Sequence, residues 1–350
     1  MAAGPTPPLF IECFPEKANI QLLTNTRKMG LGIDTGTGNI AENYRGSTVQ
    51  NTKKAAVIGL GSMGWGAALS LLKAGFAVSG CDVRSEVLAR LAENGGSPCT
   101  TPASAADDVD VILIYVVNSK QVEDVLFGQN GALKTARPST VFLLCTTMAP
   151  SATIAIAERL EEAGMLVIDA PVSGGHVRAL SGEITVMASG MPEAFDRAST
   201  VLDAISAKVF RLGDRPGAGS QVKMINQLLA GVHIAATAEA MTLAAKAGID
   251  LKTLYDVICV SAGSSWMFEN RGEHIVSGDY TPRSAVNIFV KDLGIVTSEA
   301  GKAGAVTPLA ATALGLFVEA SQAGLGLEDD AAVAKILAAR SGASLPGVKD

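Results

Sequence analysis

The stretch from Gly219 to Gly248, GSQVKMINQLLAGVHIAATAEAMTLAAKAG, decides how the rest of the chain is read. It has glycine at both ends and no proline, and between Lys223 and Lys246 it carries one charged residue, Glu239. A helix this long and apolar on all faces has to be buried. It is long enough to cross a bilayer, for which about 20 apolar residues suffice. But Asn226, Gln227, His233, Thr237 and Glu239 interrupt it, no basic cluster follows it, and the sequence has no second span of this kind. The better reading is a buried interdomain helix over residues 219–247. Lys223 falls in its first turn, where the helix dipole disfavours a cation, and Asn226 and Gln227 lie one turn on beside it. A lysine set against the dipole, beside two amides and an apolar core, is the first candidate for chemistry. The plainer alternative is a side chain that reaches out to solvent.

Outward from this helix, 350 residues leave room for two domains with a large core. A hydrophobic share of 48% with 5% aromatics suits a doubly wound α/β domain plus packed helices. The net charge of −6 argues against nucleic acid or an anionic membrane as partner. Cys13, Cys81, Cys99, Cys145 and Cys259 are scattered with no C-x-x-C, which excludes the usual zinc spacings. No metal is expected, and the thiols suit a reducing, cytoplasmic compartment. Residues 1–51 are rich in Gly, Pro, Thr and Asn, and their acids equal their bases. They fit neither a transit peptide nor a secretory signal and read as a poorly ordered extension.

Residues 53–84, KKAAVIGLGSMGWGAALSLLKAGFAVSGCDVR, read as strand, glycine turn, helix and strand. Gly59, Gly61 and Gly64 form G-x-G-x-x-G: a tight turn, a close approach for pyrophosphate, and close packing of helix on strand. Phosphate oxygens meet free N–H groups at such a helix start. Leu60, Ser62 and Met63 complete the turn, and Asp82 ends the second strand at the distance expected of a ribose-binding acid. Its carboxylate favours NAD over NADP, although Arg84 partly offsets the repulsion of a 2′-phosphate. The alternative is a glycine-rich α/β turn without nucleotide.

Further apolar strands are expected at Val109–Val117, Val141–Cys145, Leu166–Ala170, Ile184–Ser189 and Lys208–Leu212, with helices from about Lys120, Ser151 and Pro192. Ligands of an open parallel sheet lie beyond the carboxyl ends of its strands, which places Val116, Val117 and Thr147 near the cofactor. Ser173, Gly174 and Gly175 follow another such strand, and this loop offers backbone N–H groups and a hydroxyl to a carboxylate without any arginine. These readings give an NAD-binding domain over 52–213 and an all-helical domain over 214–345. In the second, Pro282 is expected to open a helix that carries Lys291 and Asp292. Trp266 and Phe268 read as core or interface residues, and His233 and His274 as structural.

Taken together, GLGSMG (59–64), APVSGG (170–175), GAGSQVKMINQ (217–227) and FVKDLG (289–294) resemble the β-hydroxyacid dehydrogenase family in order and spacing, over residues 53–342. The resemblance implies that Lys223 is the catalytic acid/base. It implies further that Ser173, Gly174 and Gly175 bind the substrate carboxylate and that Lys291 reaches the cofactor. The family commonly has asparagine four residues after the lysine. Gln227 stands there in this chain, preceded by Asn226, so either amide is a substrate-contact candidate. His176 stands where relatives often carry a small residue. LLAGVHIAATAEAM (228–241), SSWMFENR (264–271) and GDYTPRSAVNIFVKDLG (278–294) resemble the branch that oxidises the four-carbon acid L-threonate with NAD. Other members act on 3-hydroxyisobutyrate or reduce tartronate semialdehyde, and a rival outside enzymology keeps the fold as a nucleotide-binding interaction protein. The apolar second domain suggests a homodimer or homotetramer.

Overall fold

The computed structural model describes residues 53–348, so the extension read at 1–51 falls outside the described residues. Nine strands come first: β1 Lys54–Ile58, β2 Ala77–Cys81, β3 Ser97–Cys99, β4 Val111–Ile114, β5 Val141–Leu144, β6 Leu166–Asp169, β7 Val172–Ser173, β8 Ile184–Gly190 and β9 Ser206–Arg211. Helices α1 Ser62–Lys73, α2 Ser85–Glu93, α3 Pro102–Ala106, α4 Ser119–Phe127, α5 Pro150–Glu162, α6 Gly175–Ser181 and α7 Pro192–Ile205 alternate with them. Beyond Arg211 the regular elements are helical: α8 Ala218–Lys246, α9 Leu251–Cys259, α10 Trp266–Ser277, α11 Val286–Lys302, α12 Pro308–Ala320 and α13 Val333–Ser341.

The strands form one sheet in the order β3-β2-β1-β4-β5-β6-β8-β7, with β9 beside β8. It is parallel from β3 through β6. β8 then runs antiparallel to both β6 and β7, so the last third departs from a wholly parallel sheet. Both faces are covered, which is why the strands read as unbroken apolar runs. Ala55, Val57, Leu113, Leu143 and Ile168 meet Leu71 of α1 and Phe195 of α7 on one side. Ile58, Ile112, Ile114, Phe142 and Leu144 meet Leu126 of α4 and Leu160 of α5 on the other.

A third core surrounds α8, where Ile234, Ala238 and Met241 meet Phe289, Leu293 and Val296 of α11 and Phe317 of α12. Gly231 sets the approach of the two helices. A Cβ there would lie 2.8 Å from Leu293 Cδ1, so the bare backbone lets α11 close on α8. This brings residues 223–227 alongside 291–292.

Two expectations need correction. α8 is not buried on all faces: Ile225, Leu229 and Leu243 are 55%, 51% and 69% exposed. Its length and hydropathy match a membrane span, a test that the core helix of a soluble protein also passes. Nor does Pro282 open α11. Ala285 first bridges Asp329 in antiparallel fashion, and the helix begins at Val286. A buried network holds this approach. His274 Nδ1 meets Asp329 Oδ1 at 2.8 Å, Arg283 N–H donates to Asp329 Oδ2 at 3.1 Å, and Arg271 pairs with Asp330. His274 is thus a structural residue, as expected.

Candidate active site

The glycine turn joins β1 to α1. A Cβ on Gly59 would lie 2.6 Å from the Tyr115 carbonyl oxygen, and one on Gly64 only 1.9 Å from Gly59 O, so neither position admits a side chain. At Gly61, by contrast, a Cβ would meet nothing within 4 Å, which leaves open space beside the backbone. α1 has no side-chain cap and no acid in its first turn, so its leading N–H groups are free to receive an anion. Close packing at 59 and 64, open space at 61 and an uncapped helix start fit a dinucleotide pyrophosphate.

Asp82 lies at the same edge. Its Oδ2 accepts from Leu60 N–H at 2.8 Å, and its Oδ1 from Arg84 N–H at 3.0 Å and Arg84 Nε at 2.9 Å. Burial pushes the carboxyl up, but the hydrogen bonds from Arg84 and Leu60 outweigh it and hold it below the usual 3.8. Arg84, read as partly offsetting the repulsion of a 2′-phosphate, is paired with Asp82. Val116 is half-buried, and Val117 is exposed with its N–H donating to Gln121 Oε1. Thr147 O accepts from Lys291 Nζ at 2.9 Å, so these two proposed cofactor contacts touch each other across the seam.

The loop after β7 turns at two glycines with positive φ, Gly174 at 132° and Gly175 at 70°, while Ser173 pairs with Thr185 of β8. Trp266, at the start of α10, comes within 4.0 Å of where a Cβ on Gly175 would stand, and it is 49% exposed. Trp266 is therefore not a core residue, whereas Phe268 is in the core. His176 follows the loop, half-buried, with its Nδ1 shielded and unpartnered.

The seam itself is built on Asp169, the last residue of β6 and fully buried. It accepts from Gly217 N–H at 2.9 Å, Ser220 N–H at 2.8 Å and Ser220 Oγ at 2.7 Å, with Ser189 Oγ at 3.3 Å. Burial pushes its pKa above the usual carboxylate value against the pull of these donors. The start of α8 is thereby pinned to the sheet. Thr153 of α5 adds a hydroxyl contact to Ser220 at 2.9 Å.

Lys223 lies one turn beyond Ser220. Because α8 begins at Ala218, the lysine sits in the second turn rather than the first, where the dipole acts weakly. Burial is the larger influence: Lys223 is 7% exposed. Its pKa falls from 10.5 to about 8 through loss of hydration, opposed by Asp292 and aided by Lys291. Asp292, itself buried, lies 2.6 Å from Lys291 Nζ and accepts from Gln227 Nε2 at 2.5 Å.

The nucleotide turn and Asp82 therefore share one strand edge, while Lys223, Gln227, Lys291 and Thr147 share the seam. Asp169, Ser220 and the alignment of Asp292 with Gln227 were not anticipated. The one sign of Asp169 in the sequence is a charged residue closing an otherwise apolar strand, LVID.

Comparison with known proteins agrees with this geometry. Residues 54–213 match the NAD binding domain of 6-phosphogluconate dehydrogenase, and residues 217–337 match the NAD-binding domain of NADP-dependent 3-hydroxyisobutyrate dehydrogenase. The fold and site thus define a dehydrogenase with a nicotinamide dinucleotide cofactor. The L-threonate dehydrogenase of Cupriavidus necator is 55% identical over 296 residues, 85% of this chain and 99% of the relative. That of Escherichia coli K12 is 52% identical over 294 residues, 84% of this chain and 96% of the relative. The crystal structure of a 3-hydroxyisobutyrate dehydrogenase from Salmonella typhimurium superposes with a TM-score of 0.78 at 50% identity, covering 81% of this chain and 99% of that one. The chain belongs to the β-hydroxyacid dehydrogenase family.

Proposed function

We propose that the protein oxidises L-threonate at its second carbon to 2-dehydro-L-erythronate, with NAD as hydride acceptor and Lys223 as the acid/base. The observation that carries this reading is Lys223 itself: a lysine shielded from water, with a pKa near 8, on the helix that Asp169 pins to the sheet edge. A neutral amine is available there at mildly alkaline pH to take the hydroxyl proton as the C–H bond gives up its electron pair. In the reverse direction the ammonium returns that proton. Ser173, Gly174 and Gly175 receive the substrate carboxylate. Of the two amides, Asn226 is the half-buried one, and Gln227 is turned towards Asp292. Bound NAD supplies the electrophilic ring carbon that accepts hydride. For the cofactor, the turn Gly59, Leu60, Gly61, Ser62, Met63 and Gly64 takes the pyrophosphate and Asp82 the adenosine ribose, which favours NAD over NADP. Val116, Val117, Thr147 and Lys291 complete that contact surface.

Relatives at 49–55% identity named L-threonate dehydrogenase support the substrate. The Salmonella structure, named a 3-hydroxyisobutyrate dehydrogenase, favours a second reading in which the substrate is that branched acid. NADH formation with L-threonate, D-erythronate, 3-hydroxyisobutyrate and D-glycerate separates them, and we expect the highest kcat/KM for L-threonate. We expect Lys223→Ala to lower kcat by roughly 10²–10⁴-fold with NAD binding intact. A loss under about tenfold would remove the acid/base role. The rate of oxidation should rise with pH through about 8 as Lys223 loses its proton.

The boundary between an NAD-binding domain at 52–213 and a helical domain at 214–345 belongs to the same proposal, as does a cytoplasmic location. The exposed side chains of Ile225, Leu229 and Leu243 along α8 support a homodimer or homotetramer.

A further inference from the structure

The amide of Gln227 is engaged at both ends. Asn226 Nδ2 donates to its Oε1 at 3.0 Å, and its own Nε2 donates to Asp292 Oδ2 at 2.5 Å. A glutamine amide has one oxygen and two N–H donors, so these contacts leave a single N–H unassigned. On its other side Asp292 meets Lys291 Nζ at 2.6 Å, and Lys291 in turn donates to Thr147 O. A polar chain therefore runs from Asn226 through Gln227, Asp292 and Lys291 to the carboxyl end of β5, its Asp292–Lys291 link being an ion pair, since Asp292 Oδ1 has no hydrogen-bond partner. Asparagine at position 227 would be one methylene shorter. The extra length of glutamine lets the amide span the gap between α8 and α11, whose separation Gly231 sets against Leu293.

We propose that Gln227 is a positioning residue: it holds the Asp292 carboxylate within electrostatic reach of Lys223, and the substrate amide contact is left to Asn226. This rests on Lys223 being the acid/base. The charged groups acting on Lys223 are Asp292 and Lys291, both from α11. β6, β8 and α5 bring Asp169, Ser189 and Thr153 to the first turn of α8, around Gly219 and Ser220. Asp292 thus supplies the negative charge that opposes the loss of hydration at Lys223. Without Gln227, only Lys291 would hold that carboxylate, which would turn away from Lys223. The neutral amine would then persist to lower pH.

The test is the pH profile of kcat for NAD-linked oxidation of the best acid in the panel, with full-length wild type, Gln227→Leu, Asp292→Asn and the double variant. NAD binding by fluorescence serves as the check of fold. We expect Gln227→Leu and Asp292→Asn each to move the acid limb to lower pH by at least about half a pH unit. Gln227→Leu should change the KM of the acid by less than about threefold, and the double variant should match Asp292→Asn alone, because both substitutions remove one interaction. Gln227→Asn, still an amide but too short, should behave as the leucine variant and replaces it if the latter does not fold. A KM raised about tenfold with an unmoved acid limb would show that Gln227 touches substrate and overturn the proposal. So would shifts that simply add in the double variant, or a wild-type profile for Gln227→Asn. Lys223→Ala in the same assay tells the two readings apart. Activity retained there removes the acid/base assignment, whereas inactivity alongside an additive cycle removes only the role given to Gln227.

Discussion

Asp82 and Asp169 stand at the carboxyl edge of the parallel part of the sheet, and each accepts backbone N–H groups from a turn ahead of a helix, yet they do different work. Asp82 takes Leu60 N–H from the nucleotide turn, and its remaining partners come from Arg84, whose side chain is 48% exposed. Asp169 takes Gly217 and Ser220 from the start of α8, and its partners are backbone amides and hydroxyls. Their pKa values move in opposite directions. The adjacent guanidinium and the backbone donors hold Asp82 down against its burial, while burial without a cation pushes Asp169 up. A carboxylate whose partner is an exposed side chain can exchange that partner for a ligand. One enclosed by the protein's own amides cannot, and it holds the second half of the molecule in register with the first.

The strongest way to break this distinction is Asp169→Ala. It strands the N–H groups of Gly217 and Ser220 in a buried site, and we expect a loss of about 3–5 kcal/mol in urea unfolding together with a fall in kcat. A cost within about 0.5 kcal/mol would mean that α8 keeps its place without the anchor. Lys223→Met acts with the opposite sign. The shift of Lys223 from 10.5 to about 8 corresponds to about 3 kcal/mol by which burying the ammonium destabilises the fold. Below pH 8 folded and unfolded chains both carry the proton, so the full cost is present. Between pH 8 and 10.5 only the unfolded chain is protonated, so wild-type stability rises with pH, and above 10.5 the cost is gone. The methionine variant should therefore be inactive but more stable than wild type at pH 7, with the gain fading across that window. A constant gain from pH 7 to 11 would show that Lys223 reaches water.

What could be read from the sequence follows the same division. The glycine turn, Asp82 and the buried strands announce themselves through local order, because each depends on neighbours within a few positions. The long helix is equally legible from GSQVKMINQLLAGVHIAATAEAMTLAAKAG, although its start at Ala218 moves Lys223 out of the first turn and replaces the dipole with burial as the cause of its altered pKa. Contacts between distant segments are not written locally. Asp169 meets Ser220 across 51 positions and Gln227 meets Asp292 across 65. The first depends on how α8 meets β6, and the second on how closely α8 and α11 approach, which Gly231 decides from elsewhere in the helix. Trp266 shows the same limit: its aromatic character does not say that its ring lies beside the turn at Gly175.

The gentlest test concerns Asp82. Asp82→Ala removes a ribose acceptor and also releases Arg84 from its carboxylate, so its two consequences favour NADP over NAD together. We expect NAD binding to weaken by about 1–2 kcal/mol, roughly tenfold, while NADP binding weakens less or improves. The melting temperature should fall less than for Asp169→Ala: the Asp82 side chain is only 7% exposed and holds Leu60 N–H, but its other hydrogen bonds come from Arg84, whose side chain is half exposed. Arg84→Ala separates the contributions. If the gain for NADP comes from the freed guanidinium, adding Arg84→Ala to Asp82→Ala abolishes it; if it comes only from removing a negative charge, the gain persists. Equal weakening of both cofactors by Asp82→Ala would place the discriminating contact elsewhere. A fall in stability comparable to that of Asp169→Ala would erase the distinction between the two carboxylates, because Asp82 would then be holding the fold and not a ligand.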